Sequence, residues 1–404
     1  MLKFCFIVVC QLSMILADNP GIRVHFTQNG LNYGMNLGMK YLLSAMSSQP
    51  LQDTKGSITI ESEPLDYEIK DIRLEQFQYA QSTAVFVPGK GIQMSIKGGN
   101  ATVYNNWNLN SWLIKDSGSS IVHVKGISIS LVVGARRAQT GSLSIYPVSC
   151  LSDIKDVNIN MLDGVSYFYD TFKEELETLI RSSFKEQLCS ALETQVQKLD
   201  VSLSQMQSNV SLANVLGVDI SLVSNPQFTE KIAQIDLKGM FYSLVNMTRT
   251  SFQPAPLTMG GQTKSMVYIG ISQASINSAS LSYFLSGGFT FHLIKYMSSI
   301  KITTSDLSAI LPEISKQYKK PAPVQVLISA SSAPAFTLKP NNLTVEFAGL
   351  ITVYASQPTL KRESLLSAHI VSSISANVSI TDTNSMHGLN LTGSIHLNRC
   401  FLSF

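Results

Sequence analysis

Residues 126–199 read GISISLVVGARRAQTGSLSIYPVSC, LSDIKDVNINMLDG and VSYFYDTFKEELETLIRSSFKEQLCSALETQVQKL. The opening alternates Ile127, Ile129 and Leu131 with Ser128 and Ser130, the pattern of a half-buried strand. A turn-like ARRAQTG and a second strand, SLSIYPV, follow. Past Asp163-Gly164 the period changes: Phe168, Phe172, Leu176, Leu179, Phe184, Leu188, Leu192, Val196 and Leu199 recur at three- and four-residue steps. The spacing predicts a helix from about Ser166 to Leu199, about 50 Å long at 1.5 Å per residue. Lys173, Glu174, Glu175, Glu177, Arg181, Lys185 and Glu186 make it too charged to cross a bilayer, so its apolar stripe needs a long partner. Cys150 closes a strand and Cys189 lies within the helix. A bridge between them would pin helix to sheet, at about 4 kcal/mol for a loop of about 40 residues; two buried free thiols are the alternative.

The chain has 404 residues, 45% apolar and 14% charged, enough for sizeable cores and for two domains. Residues 1–17, MLKFCFIVVCQLSMILA, have the lysine, short apolar run and small residue of a secretory signal peptide. A soluble, secreted product is therefore expected. It retains Cys150, Cys189 and an odd Cys400. Six N-x-S/T sequons, at Asn100, Asn209, Asn246, Asn342, Asn377 and Asn390, agree with secretion.

Leu31, Met35, Met39, Leu42 and Met46 recur at helical steps and predict a Met-rich helix from about Asn29 to Ser47, with Gly34 and Gly38 on it. Such a stripe is ordinarily core, and it also suits a wall fitted to a variable apolar guest. From Ser57 to Ile145 the sequence reads as long strands, with turns expected at Pro88-Gly89-Lys90-Gly91 and Gly98-Gly99-Asn100. Antiparallel strands rolled against two amphipathic helices make a wrapped sheet. Beyond the long helix come two more strands, then TRTSFQPAPLTMGGQTK, whose Pro254, Pro256, Gly260 and Gly261 mark a linker. After it a strand from Met266 to Ser272 leads to an Asn277-Ser278-Ala279 turn. A shorter helix, about Ser305 to Tyr318, precedes alternating segments that run to the end.

PGIRVHFTQNGLNYGMNLGMKYL, FVPGKGIQMSI, KGISISL, SCLSDIKDVNINM and MVYIGIS, in this order and spacing, resemble the bactericidal/permeability-increasing protein (BPI) and lipopolysaccharide-binding, lipid-transfer family over roughly residues 19–398. The resemblance implies an α+β fold of the BPI type: two wrapped antiparallel sheets (barrels), each covered by amphipathic helices, joined by a central sheet, with an apolar lipid pocket in each barrel. On that frame residues 18–247 form the first barrel, 248–264 a linker and 265–404 the second. The family continues past the LTGSIHLNR-like strand, so the second barrel is expected to be incomplete, with an apolar groove left open.

The family's lipopolysaccharide binders carry Lys and Arg at the tip of the first barrel. In the matching YNNWNLNSWLIKD, Trp107 is flanked by neutral Asn106 and Asn108. Between Leu51 and Lys115, six bases (Lys55, Lys70, Arg73, Lys90, Lys97, Lys115) face seven acids (Asp53, Glu61, Glu63, Asp66, Glu68, Asp71, Glu75). That balance disfavours an endotoxin site.

No G-x-S-x-G, H-E-x-x-H, P-loop or G-x-G-x-x-G occurs, and the six His show no metal-ligand spacing, so neither enzyme, cofactor nor nucleic-acid partner is expected. The expected function is secreted lipid binding. A phospholipid-like acyl chain would lie between barrel and helices, lined by Met35, Met39, Leu42, Phe168, Phe172, Leu176 and Leu179, for carriage or for docking on a membrane or lipoprotein surface. Innate-immune capture of bacterial envelope lipid is the first alternative, and an empty structural or interaction module the second.

Overall fold

A computed structural model describes residues 18–48, 53–60, 63–112, 115–163, 166–212, 214–261, 263–293, 302–309, 311–355, 363–383 and 386–403. The leader-like residues 1–17, with Cys5 and Cys10, lie outside this set.

The chain opens with β1 (Ile22–Thr27) and passes directly into α1 (Gln28–Ser48). The junction is Thr27, fully buried, whose hydroxyl lies 3.5 Å from the Gly30 N–H and donates to the Ser265 carbonyl at 2.7 Å. Strands β2 (Thr54–Ile60), β3 (Glu63–Gln78), β4 (Gln81–Val87), β5 (Gly91–Asn110), β6 (Lys115–Arg137), β7 (Leu143–Asp153) and β8 (Asp156–Met161) form one antiparallel sheet. Its long axis is the β5–β6 pair. One part of β5 holds β4 and the rest holds β3; β6 is divided the same way between β7 and β8.

Pro88-Gly89-Lys90 makes the expected turn, whereas Gly98-Gly99-Asn100 does not. The strand runs straight through as a bulge, with register shifts on either side of Gly99 against β6. Gly98 and, across the pair, Gly126 take φ of +65° and +66°, which glycine adopts without strain.

Helix α2 (Ser166–Ser204) continues five residues beyond the expected Leu199. It lies antiparallel to β7, held by a series of contacts. The Ile145 N–H donates to Asp200 Oδ1 at 2.8 Å, Cys150 is bonded to Cys189, and the Ser152 hydroxyl donates to the Lys185 carbonyl at 2.7 Å. From Ile145 to Ser152 the strand advances about 23 Å; from Lys185 to Asp200 the helix advances about 22 Å. The equal lengths keep the two elements in step, and the disulfide falls between the outer two contacts.

Short strands follow: β9 (Asn209–Leu212), β10 (Leu216–Asp219), β11 (Gln227–Phe228), β12 (Ile232–Leu237) and β13 (Met240–Ser243). The described residues of the Pro/Gly-rich stretch after them form no helix or strand beyond a single bridge from Arg249 to Tyr242, and they are held along β1. Asn19 Nδ2 donates to the Pro254 carbonyl at 3.0 Å, Arg23 donates to the Leu257 carbonyl, and Asn29 Nδ2 donates to the Lys264 carbonyl at 3.0 Å. Past it, β14 (Val267–Ile271) pairs with β1, which on its other side pairs with β12, so a sheet ordered β11-β12-β1-β14 joins the first and later parts of the chain. Within it Arg23 faces Asp236 across the strands in a two-pronged ion pair at 2.7 and 2.9 Å.

The expected Asn277-Ser278-Ala279 turn is instead the middle of a helix, α3 (Gln273–Leu285), capped by the Ser272 hydroxyl accepting from the Ser275 N–H. After β15 (Thr290–His292), the helix expected over 305–318 is two short ones, α4 (Thr304–Ser308) and α5 (Pro312–Gln317). Pro312 has no N–H to continue the first and stands at the start of the second, where none is needed. Strands β16 (Val324–Ala330), β17 (Ala335–Lys339), β18 (Asn342–Ala355), β19 (Glu363–Thr383) and β20 (Met386–Ser403) complete a second antiparallel sheet with β15.

Candidate functional site

The register of β5 and β6 assigns the inner face of the first barrel residue by residue. Ile92, Met94 and Ile96 lie opposite Val133, Leu131 and Ile129; past the bulge, Ala101 and Val103 lie opposite Val124 and Val122. Before the bulge the inward residues of β5 are even-numbered, and after it they are odd-numbered. The bulge therefore keeps one face apolar along a sequence whose alternation slips by one.

Two helices close on this face. Leu31 and Met35 of α1 pack with Ala84, Phe86, Ile92 and Met94. Leu176, Ile180, Phe184 and Leu188 of α2 pack against a buried group that includes Ile72, Val103, Val124 and Val157. Of the residues expected to line a lipid site, Met35 is thus half-buried in the α1 cluster, Met39 is buried, and Leu176 is part of the barrel core. Leu42, Phe168, Phe172 and Leu179 fall within the α1 and α2 backbones, and their side chains lie outside the described residues. Among the described residues, a Cβ on Gly34 or Gly38 would meet nothing within 4 Å, so neither glycine marks a close approach to any of them.

Towards the β5–β6 turn the inner face becomes polar. Asn105 and Ser120 are opposite one another, both buried, and the Ser120 hydroxyl donates to Asn105 Oδ1 at 2.9 Å. One step further Trp107 lies opposite Gly118, in a small cluster with Leu65 and Leu109 edged by Tyr67 and Met161. A Cβ on Gly118 would come within 2.9 Å of the Trp107 ring and 2.6 Å of the Asp163 carbonyl, so only glycine leaves room for the indole. The family resemblance implied a place at the tip for Trp107, but the polar step behind it went unread, because the bulge hides which Asn points inward.

One base at this end is paired with an acid, and two further carboxylates accept from neutral donors. Lys70 contacts Glu68 at 2.9 Å, and the bond to that carboxylate holds the ammonium above its usual pKa. Asp71 accepts from Asn106 at 2.8 Å, and Glu63 accepts from the exposed Trp112 indole at 2.9 Å. Among the described residues no three of His, Cys, Asp and Glu are grouped to hold a metal ion, and no helix is long and apolar enough to cross a membrane.

Asn100, Asn209, Asn246 and Asn342 are exposed. Asn246 differs in that its Nδ2, the atom a glycan would take, donates to the Leu285 carbonyl at 3.1 Å. The side chains of Asn377 and Asn390 lie outside the described residues, but their strands pair so that Asn377 is opposite Thr392 and Asn390 opposite Ser379, which puts both sequons on one face. The Cys400 side chain is likewise outside the described set.

The geometry has counterparts. The chain is 29% identical over 385 residues to the human BPI fold-containing family C protein, covering 94% of this chain and 75% of that one. It is 26% identical over 402 residues to the bactericidal permeability-increasing protein of Sebastes schlegelii, with 98% and 84% covered. It is 25% identical over 386 residues to human lipopolysaccharide-binding protein, with 94% and 80% covered. A crystal structure of lipopolysaccharide binding protein superposes with a TM-score of 0.55 at 21% identity, over 95% of this chain and 84% of that one, a likeness of fold. The family models named LBP / BPI / CETP match residues 30–206 as the N-terminal domain and 210–403 as the C-terminal domain. Together they span nearly all of the described chain: it is a member of the LBP / BPI / CETP family, with that family's BPI-type α+β fold.

Proposed function

We propose that this is a secreted lipid-binding protein that shelters the acyl chains of a phospholipid-like molecule between the first barrel and its two helices. The observation that carries the reading is the inner face itself. It is an apolar wall from Ile92 to Val103, closed by a Met-bearing α1 on one side and α2 on the other, and ending in the polar pair Asn105–Ser120. Each buried CH₂ contributes about 0.8 kcal/mol, so an acyl chain of ordinary length gains on the order of 10 kcal/mol in such a place. Met35, Met39, Leu42, Phe168, Phe172 and Leu179 are its proposed lining, with Leu176 at its floor, where the helix meets the core. A split into barrels at residues 18–247 and 265–404, with export of the chain and docking on a membrane or lipoprotein surface, belongs to the same reading.

Native mass spectrometry of the protein recovered from secreting cells tests it. Co-purifying phospholipid at near one per site supports a carrier. Endotoxin affinity that collapses as salt rises would replace it with an anionic-lipid sensor, which the pairing of Lys70 with Glu68 and the excess of acids over bases between Leu51 and Lys115 speak against. Protein free of either, and unable to take lipid from vesicles, would overturn the proposal.

A further inference from the structure

Three of the six sequons meet at one end of the second sheet. Lys339 and Asn342 face each other across the hairpin turn Pro340-Asn341, in which Asn341 takes φ of +57°, so Asn342 is fixed as the first residue of β18. The next rung pairs Leu343 with Ala376, which sets Asn342 beside Asn377 on β19. Asn377 is opposite Thr392 of β20, and Asn390, two residues before that Thr, is opposite Ser379. Neighbouring strands stand about 4.8 Å apart and a strand advances about 6.8 Å in two residues, so the three Asn positions lie within about 12 Å of one another. All three are on one face. It carries Glu346, Ser373, Ser375, Ser394 and His396, whereas Val345, Ile374 and Ile395 are on the other. Glu346, Ser394 and His396 are exposed, so this is the solvent side, from which a glycan leaves without crossing the barrel. The first sheet differs: Asn100 is its single sequon.

Resting on the reading that the chain is secreted, we propose that Asn342, Asn377 and Asn390 all carry N-linked glycans and form one crowded patch, whose glycans stay in their untrimmed, mannose-rich form. In each transfer the Asn Nδ2 loses one proton and bonds C1 of an oligosaccharide held on a lipid pyrophosphate. The bond from C1 to the pyrophosphate breaks, and the pyrophosphate leaves with the electron pair. Later trimming hydrolyses mannosidic bonds with water, and for this a glycosidase must seat a single branch in its cleft. N-glycans are bulky. Three of them rooted closer together than each is wide deny the enzyme that seat, while a lone glycan on Asn100 leaves it open. The three sites thus act as a unit: what happens to one glycan depends on its two neighbours.

The test expresses the whole chain in mammalian secreting cells and weighs its glycopeptides before and after an endoglycosidase that cleaves oligomannose glycans and spares complex ones. Asn342, Asn377 and Asn390 should each be occupied on most molecules and lose their glycans to the enzyme, while the glycan on Asn100 resists it. This wild-type pattern needs no variant. Ser379→Ala with Thr392→Ala removes the sequons of Asn377 and Asn390 and keeps all three Asn. In that protein the glycan on Asn342 should turn resistant. Exported protein with any of the three bare, with wild-type glycans there that resist the enzyme, or with an Asn342 glycan that stays sensitive in the double variant would overturn the patch and leave secretion standing. A chain kept in the cytosol and bare at every sequon would overturn both.

Discussion

Asn277 closes both ends of its amide on one residue: its Nδ2 donates to the Phe336 carbonyl at 3.0 Å and its Oδ1 accepts from the Phe336 N–H at 2.7 Å. A helix side chain here does what a neighbouring strand would do for β17. Gln273 and Ser280, on the same side of α3, bond to Leu338 and Pro334. The opposite side, through Ser275 and Ser278, bonds to Gly239 and Phe241. The helix is thus a polar strut between β13 and β17. Asn277→Leu, near in size but without either partner, strands two backbone groups and should lower stability by about 2 kcal/mol, seen as a lower urea midpoint. A change within a few tenths would mean that solvent replaces the pair without loss.

The Cys150–Cys189 bridge closes a separation of 39 residues. A loop of that length predicts that Cys150→Ser with Cys189→Ser loses about 4 kcal/mol, provided the unfolded chain is otherwise unchanged. The remaining contacts of α2 on β7, Asp200 with Ile145 and Lys185 with Ser152, should keep the helix docked. Far-UV circular dichroism of the variant is therefore expected to match the wild type below its lowered denaturation midpoint. Lost helix signal in the native baseline would show that the bridge alone holds the helix down.

Asp219 gives stability a dependence on acid. Burial pushes its carboxyl up, but hydrogen bonds from the Ser221 hydroxyl and N–H, with Lys238 at 3.3 Å, outweigh burial and hold it below the ordinary carboxylate value. A group depressed in the folded state stabilises above its unfolded pKa, about 4, and that contribution is lost as pH falls through the folded value. Asp219→Asn should thus be less stable than wild type at pH 7, with the gap narrowing below about pH 4. A gap that stays constant down to pH 2 would show that the carboxylate's charge contributes nothing.

What could be read from the residues, and what could not, follows from where periodicity survives. The apolar steps from Phe168 to Leu199 announce α2 because that helix lies on an apolar sheet, and Cys150 and Cys189 fall where strand and helix must meet. The α3 segment QASINSASLSYFL escaped because its buried face is serine: Ser275, Ser278 and Ser282 are wholly buried, the first two bonded to backbone groups, so no apolar stripe exists to be seen. The Gly98-Gly99 bulge escaped because glycines at a bulge and at a turn have the same composition. That error hid the inward direction of Asn105 and left the site's polar end unread, although its apolar wall was legible.

Met39 and Leu176 are both buried, and the lipid reading assigns them different neighbours. Leu176 touches the barrel core, so Leu176→Ala should cost about 2–5 kcal/mol whether or not lipid is bound. Met39, if it faces a guest, borders space that the protein's own side chains do not fill. Met39→Trp should then fit in the lipid-free protein with its urea midpoint little changed, while bound lipid per chain falls at least by half. Were Met39 ordinary core, the larger ring would overpack it and cost about 1–3 kcal/mol, with occupancy by lipid unaltered. Measuring denaturation and lipid content on the same preparation separates the two, because one outcome moves occupancy alone and the other moves stability alone.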